Sequence, residues 1–523
     1  MSLDTASPAS KTRPILTLVA VCVAGGLLPM SLTGSSVALP GINADLDPAF
    51  AQLQWVVNGY NLAFASLMLA AGSLADRVGR RRIFTIGSLL FALASLVSGL
   101  AGNVLVLDAA RVVAGVGAAA VLTSGSAMLA QTFQGPAMAR AFGALGTSFG
   151  IGIAFGPFIG GMLVEVGGWR TVFLAHAALS GLVLLATRLM TESHAKVPGR
   201  VDWSGTITFT SSLFLFVLAV VEGPQLGWLG PINLMCYAGS AVLLAAFVVV
   251  ERRQANPMFD LSLFLQSRYV AVCLVPVALA FGFVTLLVLL PSYFMSIDGA
   301  TAQQAGITML FLTTPTLVMP TVAGYVSKWV SVRALLVVTL VLVAVGAAWL
   351  TVLEPSTSAL VLAGPLLTIG SGMGISLAIL DAAAVSSVEP ERAGMAAGMF
   401  NTMRLSSEVV AIAAMGSLLV SLTQSRLADG IGAYTAQGAP DADTVANAIA
   451  AGDLQSATAS VSGGAQQAFN AFAAGAYTDA FHVALWILAG VCAVAAPVIG
   501  WLLRERAPLT VADPSVEVTL VDA

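Results

Sequence analysis

Residues 72–82 read Gly-Ser-Leu-Ala-Asp-Arg-Val-Gly-Arg-Arg-Arg and lie between two long apolar runs. Gly79 suits a tight turn between two helices, and Gly72 lets a neighbouring helix approach closely. Asp76 can accept charge-assisted hydrogen bonds from an arginine or from the end of another helix. A merely basic loop would need neither the aspartate nor the glycines, so the stretch predicts a structured turn between two membrane spans.

The composition of the whole chain is that of a membrane protein. Only 9% of the 523 residues are charged and the mean hydropathy is +0.92, whereas a soluble protein carries about 25% charged residues. The net charge of −4 and the absence of a basic stripe argue against nucleic-acid binding. These values exclude a disordered chain and favour a polytopic membrane protein.

Fourteen apolar runs are long enough to cross a bilayer, which takes about 20 residues per helix. They are continuously apolar, unlike the alternating strands of a barrel, so an all-α protein is predicted. With the N-terminus in the cytoplasm, 18 of the 22 Lys and Arg fall on the cytoplasmic side, as the positive-inside rule requires. Both termini are therefore predicted to be cytoplasmic. The runs centre on 15–38, 52–74, 83–101, 105–130, 142–164, 171–190, 205–222, 231–250, 270–295, 304–326, 333–352, 358–385, 395–422 and 480–503.

A weak internal repeat divides the chain into halves, because 72–82 and 324–333 both place a glycine at a span end and cations eight or nine residues later. Paired six-helix halves are typical of secondary transporters, whose site lies between the halves. The outer loop, residues 423–478, is expected either to be solvated and partly helical or to form a gating cap over the outer mouth. The predicted segments are an N-terminal six-helix bundle (1–190), a cytoplasmic linker (191–204), two inserted helices (205–250), a C-terminal six-helix bundle (251–503) with an outer loop (423–478), and a cytoplasmic tail (504–523).

Two further motifs lie in the N-terminal half. Span 4 contains Arg111-Val-Val-Ala-Gly115-Val-Gly117, and span 5 is rich in glycine around a proline. The span-5 glycines would leave one helix face almost free of side chains, so that another helix packs very close, and the proline would bend the helix. A generic packing face with no gating role is the alternative. The span-5 residues are Gly146, Gly150, Gly152, Gly156, Pro157, Gly160 and Gly161.

These motifs resemble those of the major facilitator superfamily. The stretch at 72–82 is similar to its motif A, the Arg111 segment resembles motif B, and the glycine-rich segment resembles motif C, the antiporter motif. With fourteen spans, the chain resembles the 14-spanner branch of drug:proton antiporters. The resemblance implies two six-helix bundles plus two inserted helices, and proton-coupled multidrug efflux by alternating access across the cytoplasmic (inner) membrane. The motif A residues are Gly72, Asp76, Arg77, Gly79 and Arg80.

Five ionisable residues lie inside predicted spans, where each costs at least about 2.5–3.5 kcal/mol. Asp108 and Arg111 share one face of span 4, and Arg404 and Glu408 share one face of span 13. One interpretation is two intrahelical ion pairs that only neutralise each other. The other is a proton site, because burial favours a protonated carboxyl while a nearby arginine favours the ionised one. Asp381 in span 12 has no such partner, so a relay role and ordinary interfacial solvation both stay open.

One position departs from the pattern of the exporters that the chain resembles. They usually carry an aspartate in span 1, where this chain has Ser31. Arg404 fits their pattern in span 13, whereas Glu408 stands where a small residue is expected. We therefore expect the protonatable group to have moved, with Glu408 as the first candidate and Asp381 and Asp108 next. Loss of the span-1 acid favours neutral or anionic cargo over lipophilic cations.

Polar residues in span 2 and large side chains in span 13 are candidates for the substrate cavity, with core packing as the alternative for each. The sequence contains no phosphate-binding loop and no Cys/His cluster, so neither ATP, a metal nor another cofactor is expected. The cavity candidates are Asn58, Tyr60, Asn61, Phe400 and Met403.

The sequence thus predicts a transporter and no enzyme, with a small hydrophobic substrate, protons and the lipid bilayer as its partners. A monomer is compatible with this interpretation. Two alternatives remain: an exporter of one endogenous product, such as a lipid, siderophore or antibiotic, and a receptor on the same fold that transports nothing. Flux measurements in proteoliposomes separate the receptor from both exporters.

Overall fold

The fold consists of helices throughout the part of the chain that the structure describes. The computed structural model describes residues 8–133, 136–190, 192, 201–254, 259–388 and 393–504. Most of the predicted linker and the predicted tail beyond Arg504 lie outside these residues. Helices suit a bilayer because each one bonds its own backbone N–H and C=O groups where no water is present.

The helices follow the chain in three groups. The N-terminal group contains α1 (Pro8–Leu46), α2 (Phe50–Val78), α3 (Arg80–Gly99), α4 (Val104–Thr132), α5 (Pro136–Gly167) and α6 (Trp169–Thr187). The inserted group contains α7 (Trp203–Val221), the short α8 (Gly223–Leu226) and α9 (Pro231–Arg253). The C-terminal group contains α10 (Ser267–Leu279), α11 (Thr285–Ser296), α12 (Ala302–Thr313), α13 (Pro315–Val326), α14 (Val332–Trp349), α15 (Ala359–Ser386), α16 (Ala393–Ala428), α17 (Ala442–Ala450), α18 (Leu454–Thr458) and α19 (Gly463–Leu502).

The described helices agree with the prediction of an all-α protein with fourteen spans. Thirteen segments are long and apolar enough to cross a membrane, and two of them are interrupted helices, α10 with α11 and α12 with α13. A π-helical turn, Ala280–Val284, joins α10 to α11. The remaining span is α2, whose 29 residues extend for about 43 Å at 1.5 Å per residue.

The helices pack as two bundles with the inserted pair beside them. In the N-terminal bundle α1 packs on α5, α2 on α4, and α3 on α4 and α6. In the C-terminal bundle α14 packs on α15 and α19, and α15 also packs on α12 and α13. Two seams join the bundles, α5 against α12 and α2 against α16. The inserted helices α7 and α9 pack on each other, and α7 lies along the second seam.

The outer loop is shorter than the predicted 423–478. Helix α16 continues to Ala428, and α19 already begins at Gly463. The sequence at the start of α19 is rich in alanine and glutamine, and the end of α16 contains glutamine, arginine, leucine and alanine. These residues are strong helix formers, so both helices extend beyond their apolar cores.

Residues 429–462, named the cap here, form a folded cover on one end of the bundles. Its helix α17 buries Val445, Ala446 and Ile449 completely and contacts α2 of one bundle and α11 of the other. Gly452 adopts a φ of +92° and lies directly against Pro40 of α1. The cap therefore touches both bundles at the end of the molecule opposite the α2–α3 turn.

Candidate functional site

Three glycines of the motif C segment of α5 pack against α1 of the same bundle. A methyl group at Gly160 would lie 2.8 Å from Cα of Gly34, and one at Gly152 would overlap the carbonyl of Gly26. Gly156 lies between them on the same face and is equally crowded. These glycines bring the two backbones into contact and hold the N-terminal bundle together.

A second set of motif C glycines faces the other bundle. Gly161 lies against the carbonyl of Ala302 in α12, and a methyl group at Gly150 would be 3.6 Å from the carbonyl oxygen of Thr316 in α13. The prediction of a single glycine face is therefore wrong. Positions 150 and 152 are about 200° apart around a helix, and position 161 lies about three full turns after 150, so Gly150 and Gly161 share a face nearly opposite to that of Gly152.

The seam between α5 and the C-terminal bundle is tight toward the cap and loose toward the α2–α3 turn. The hydroxyl of Thr313 donates to the carbonyl of Ala154 at 2.6 Å, and the hydroxyl of Ser36 in α1 donates to the carbonyl of Leu287 at 2.9 Å. A methyl group at Gly146 would meet no described atom within 4 Å. The α5 seam is thus bonded toward the cap and open around Gly146, whereas α2 and α16 touch in the half toward the α2–α3 turn, where Gly398 lies against the Leu69 side chain.

The motif A turn is organised by one glycine and one ion pair. Gly79 has a φ of +121°, a conformation that side chains disfavour. Arg80 pairs with Asp76 at 2.9 Å and also donates to the Gln131 side chain of α4 at 2.8 Å. Arg77 is exposed. Asp76 therefore anchors the arginine that ties the start of α3 to the end of α4.

The close helix approach predicted at Gly72 is absent from this conformation. The nearest atom to a methyl group there would be Cβ of Thr123 at 3.8 Å, which is ordinary van der Waals contact. An alanine would fit, because α2 and α4 are separated at this level by the Thr123 side chain.

Arg111 is buried in the N-terminal bundle and is held by neutral groups. Its Nε donates to the carbonyl of Val56 at 2.8 Å, and its Nη1 donates to the hydroxyl of Ser31 at 2.8 Å. The guanidinium carbon lies 4.4 Å from the centre of the Tyr60 ring. The side chain is only 1% exposed.

Neither of the predicted intrahelical ion pairs is formed. Among the described side chains, no nitrogen of Arg111 comes within 4.0 Å of an oxygen of Asp108, and the same holds for Arg404 and Glu408. One carboxylate oxygen of Asp108 is buried without a hydrogen-bond partner in this part of the chain. Ion pairs that form between described residues include Arg80–Asp76, Arg82–Glu192, Arg170–Asp45 and Arg426–Asp479.

Three of the predicted proton-site residues line one cavity in the C-terminal bundle. Asp381 of α15 and Arg404 and Glu408 of α16 border a small cavity of about 20 Å³. Asp381 is exposed, whereas Arg404 and Glu408 are half-buried. Each of these residues was predicted separately as a proton-site candidate, and the fold places all three around the same cavity. The other lining residues are Pro276, Leu279, Ala280, Val284, Met373, Ser376, Leu377 and Leu380.

The cavity is bordered by the break in the α10–α11 span. Ala280 and Val284 are the first and last residues of the π-helical turn, and Pro276 precedes it inside α10. π-Helical turns occur frequently at functional sites because they interrupt the regular helix ladder. No sequence motif predicted this wall of the cavity, although Pro276 and Pro291 within one apolar run were signals of an irregular span.

The residues proposed for the substrate cavity lie in different surroundings. Tyr60 is buried beside Arg111 and donates to the carbonyl of Leu28 at 3.0 Å. Phe400 is fully buried and Met403 is partly buried. Asn58 and Asn61 are also buried, but they lie on the face of α2 that meets α16. Gln54, which the sequence analysis did not identify, lies on that same face.

The comparisons with known proteins agree with this architecture. The model of the Major Facilitator Superfamily matches residues 21–412. The chain belongs to the major facilitator superfamily. This family of transporters accounts for the two bundles and for the motifs at their ends and seams.

Relatives in the superfamily carry names that refer to drug resistance and export. The chain is 33% identical over 415 residues to "Multidrug resistance protein Stp" of Mycobacterium tuberculosis, covering 79% of this chain and 77% of that protein. It is 30% identical over 425 residues to the "Tetracenomycin C resistance and export protein" of Streptomyces glaucescens, covering 79% and 78%. A bacterial homologue of the human lysosomal transporter Spinster, solved inward-facing and occupied, has the same fold with a TM-score of 0.66 at 15% identity, covering 95% and 97%.

Proposed function

We propose that this protein exports small hydrophobic, drug-like compounds across the cytoplasmic membrane in exchange for protons. Its membership of the superfamily and the names of its relatives support the transport of drug-like compounds. The observation that carries the proton coupling is the position of Glu408, a carboxylic acid that faces a cavity together with Arg404 and Asp381.

Glu408 can hold a proton in one conformation and release it in another. A carboxylate inside a bilayer is costly, so the neutral acid is favoured while the cavity is dry. When water or Arg404 stabilises the charge, the proton can leave. Arg404 is one turn away on the same helix and forms no ion pair with Glu408 here, so the pair is free to approach when the bundle moves.

In the conformation described here the two bundles meet at the cap end. The distribution of Lys and Arg predicts that the α2–α3 turn and both termini are cytoplasmic. At that end the α5 seam is open around Gly146, but α2 and α16 remain in contact at Leu69 and Gly398. At the other end the cap contacts both bundles. Export then requires the cap end to open and the cytoplasmic end to close, with the crowded α5–α12 contact at Gly161 and Ala302 released.

The proposal is tested by Glu408→Gln in proteoliposomes that carry the full chain and an imposed pH gradient. We expect substrate-stimulated proton movement to be lost while substrate binding persists. Glu165→Gln is the matched control, because Glu165 is exposed at the end of α5. Proton movement retained in Glu408→Gln would remove Glu408 from coupling, and substrate flux that ignores the pH gradient would remove proton exchange altogether.

Export of one endogenous product is the second candidate. The name of the tetracenomycin C relative, which refers to both resistance and export of one compound, favours it. A panel of structurally unrelated compounds separates the two functions, because a dedicated exporter moves only one chemical type. Binding without flux would instead support a receptor.

A further inference from the structure

The α2–α16 seam carries a stripe of polar side chains on its α2 side. Gln54, Asn58 and Asn61 are spaced by four and three residues and therefore share one helix face. The amide of Gln54 donates to the hydroxyl of Ser417 in α16 at 3.3 Å. Leu62, on the same face, packs in one cluster with α16. The stripe thus points across the seam, from one bundle to the other.

The α16 side of the seam has a matching stripe. Thr402 and Ser406 share a helix face with Val409 and Ala413, which pack against α2 in the same apolar cluster. Thr402 is 1% exposed. The apolar members of the cluster lie beside the polar side chains, so the seam offers both hydrogen-bonding groups and apolar surface.

Most of these polar groups lack hydrogen-bond partners within the described part of the chain. Both amide atoms of Asn58 are unpaired, as are the amide nitrogen of Asn61 and the hydroxyls of Thr402 and Ser406. The second amide oxygen in the stripe, Oε1 of Gln54, is unpaired too. Asn58 and Asn61 are 0% and 1% exposed. Buried polar atoms are nearly always hydrogen-bonded, and each unpaired one costs about 1–3 kcal/mol. The concentration of unpaired atoms at this seam therefore indicates that a hydrogen-bonding ligand occupies it in another conformation.

The position of the seam indicates when that partner arrives. The seam joins the two bundles along the length of α2, and its part near Gln54 and Asn58 opens first when the bundles separate at the cap end. This step belongs to the alternating access of the proposed function, on which the inference rests. Arg404 and Glu408 line the cavity beside α10 and α15, and the polar side chains of the two stripes are themselves uncharged.

We infer that the polar seam, defined as Gln54, Asn58, Asn61, Thr402 and Ser406, is a hydrogen-bonding subsite for uncharged, oxygen-rich compounds. Amides and hydroxyls supply both donors and acceptors, which match the carbonyl and hydroxyl groups of such a ligand. The surrounding apolar side chains, including Trp55, match its hydrocarbon rings. A lipophilic cation finds no counter-charge in the seam.

Thr402→Val tests the subsite, because valine keeps the shape of threonine and removes the hydroxyl. The matched control is Thr423→Val on the same helix, where the hydroxyl is fully buried but already bonded to the carbonyl of Leu419 at 2.7 Å. Equilibrium binding to the purified full chain is measured with 1,8-dihydroxyanthraquinone and with tetraphenylphosphonium, which has no hydrogen-bonding group.

We expect Thr402→Val to weaken binding of the quinone about three- to tenfold, the loss of one hydrogen bond, and Thr423→Val to change it less than twofold. Binding of the phosphonium, if the wild type shows it, stays the same in both variants. Asn58→Leu should weaken binding of the quinone more than Thr402→Val does.

Three results would overturn the inference: no quinone binding by the wild type, equal effects of Thr402→Val and Thr423→Val, or equal weakening of quinone and phosphonium. The last result would indicate a shift between conformations instead of a lost contact. Binding is measured without a pH gradient, so its outcome is independent of the flux experiment. The subsite inference can therefore be overturned while proton coupling through Glu408 stands, and proton coupling can be overturned while the subsite stands.

Discussion

Arg111 and Ser31 are joined by a hydrogen bond of 2.8 Å inside the N-terminal bundle, from Nη1 to Oγ. Nη2 also reaches the carbonyl of Ser31 at 3.3 Å, and the ring of Tyr60 covers the guanidinium. A buried cation is thus stabilised by neutral oxygens and an aromatic face, at the place where the resemblance to drug:proton antiporters suggested a carboxylate.

Ser31→Ala should lower the stability of the N-terminal bundle. The change leaves a donor of a buried guanidinium unpaired, which costs about 1.5–3 kcal/mol for a charged group. Thermal unfolding in detergent measures the effect as a fall in Tm. Ser124→Ala on the helix of Arg111 is the control, because the fully buried Ser124 hydroxyl bonds only within its own helix. Equal Tm values for the two variants would contradict the role assigned to Ser31.

The two faces of motif C predict different consequences for similar substitutions. Gly160→Ala drives a methyl group into Gly34 of the same bundle, so it should destabilise the protein by about 1–3 kcal/mol as overpacking does. Gly161→Ala drives one into Ala302 of the other bundle, so it should favour separation at the cap end. Gly146→Ala, with no atom nearby, should do neither in this conformation.

Thermal unfolding and a distance measurement distinguish these outcomes. Spin labels at the exposed positions Val166 of α5 and Ile307 of α12 report the separation of the two helices. We expect a longer distance in Gly161→Ala and a lower Tm in Gly160→Ala. An unchanged label distance in Gly161→Ala would show that the cross-bundle glycine does not control closure.

Alanine substitutions at the two motif A glycines are expected to have different effects on stability. Gly79→Ala places a side chain at a φ of +121° and within 2.8 Å of the Glu192 carboxylate, so about 1–3 kcal/mol of stability should be lost. Gly72→Ala has room in the helix and should be neutral or stabilising by up to about 1 kcal/mol through helix propensity. Tm values of the two variants check this order, and a larger loss in Gly72→Ala would reverse the interpretation.

The cap should loosen at low pH through Asp441. This residue caps α17 by accepting the N–H of Thr444 at 2.7 Å, and that bond lowers the pKa of its carboxyl. Because the pKa is lower in the folded state, the stabilisation is complete above the ordinary value of about 3.9 and is lost as the pH falls through the folded-state value.

Hydrogen exchange of residues 441–451 in the full chain, corrected for intrinsic rates, measures this effect. Asp441→Ala should speed exchange at pH 7, since losing an N-cap costs about 0.5–2 kcal/mol. Asp441→Asn keeps the acceptor and should show a weaker effect and no acid-dependent step. Exchange in α17 that is identical in all three proteins would mean that packing of Val445 and Ile449 alone holds the cap.

Motif C shows how far spacing alone could lead. The glycines and Pro157 were visible as a packing motif, and the helical period places Gly150 and Gly161 on a different face from Gly152 and Gly156. Which face meets α1 and which meets α12 could not be predicted, because it depends on partners more than a hundred positions away along the chain.

For the proton-site candidates, too, the sequence predicted the residues but not how they come together. Glu408, Asp381 and Arg404 were selected because charges are costly in a bilayer, which is a local property of the sequence. Their convergence on one cavity depends on how α15 and α16 pack beside the π-helical turn at 280–284. Asp108 was selected by the same argument and lies apart, in the other bundle.

The amino-acid sequence by itself determined the membrane spans, their number, the turn at Gly79 and the membrane setting, because apolar run length, charge density and glycine conformation act over a few residues. Only the tertiary structure decided that Arg111 bonds Ser31 instead of Asp108, that the cap covers one end, and that the polar stripe of α2 meets that of α16. Those outcomes depend on the relative orientation of distant helices, which nonlocal packing determines.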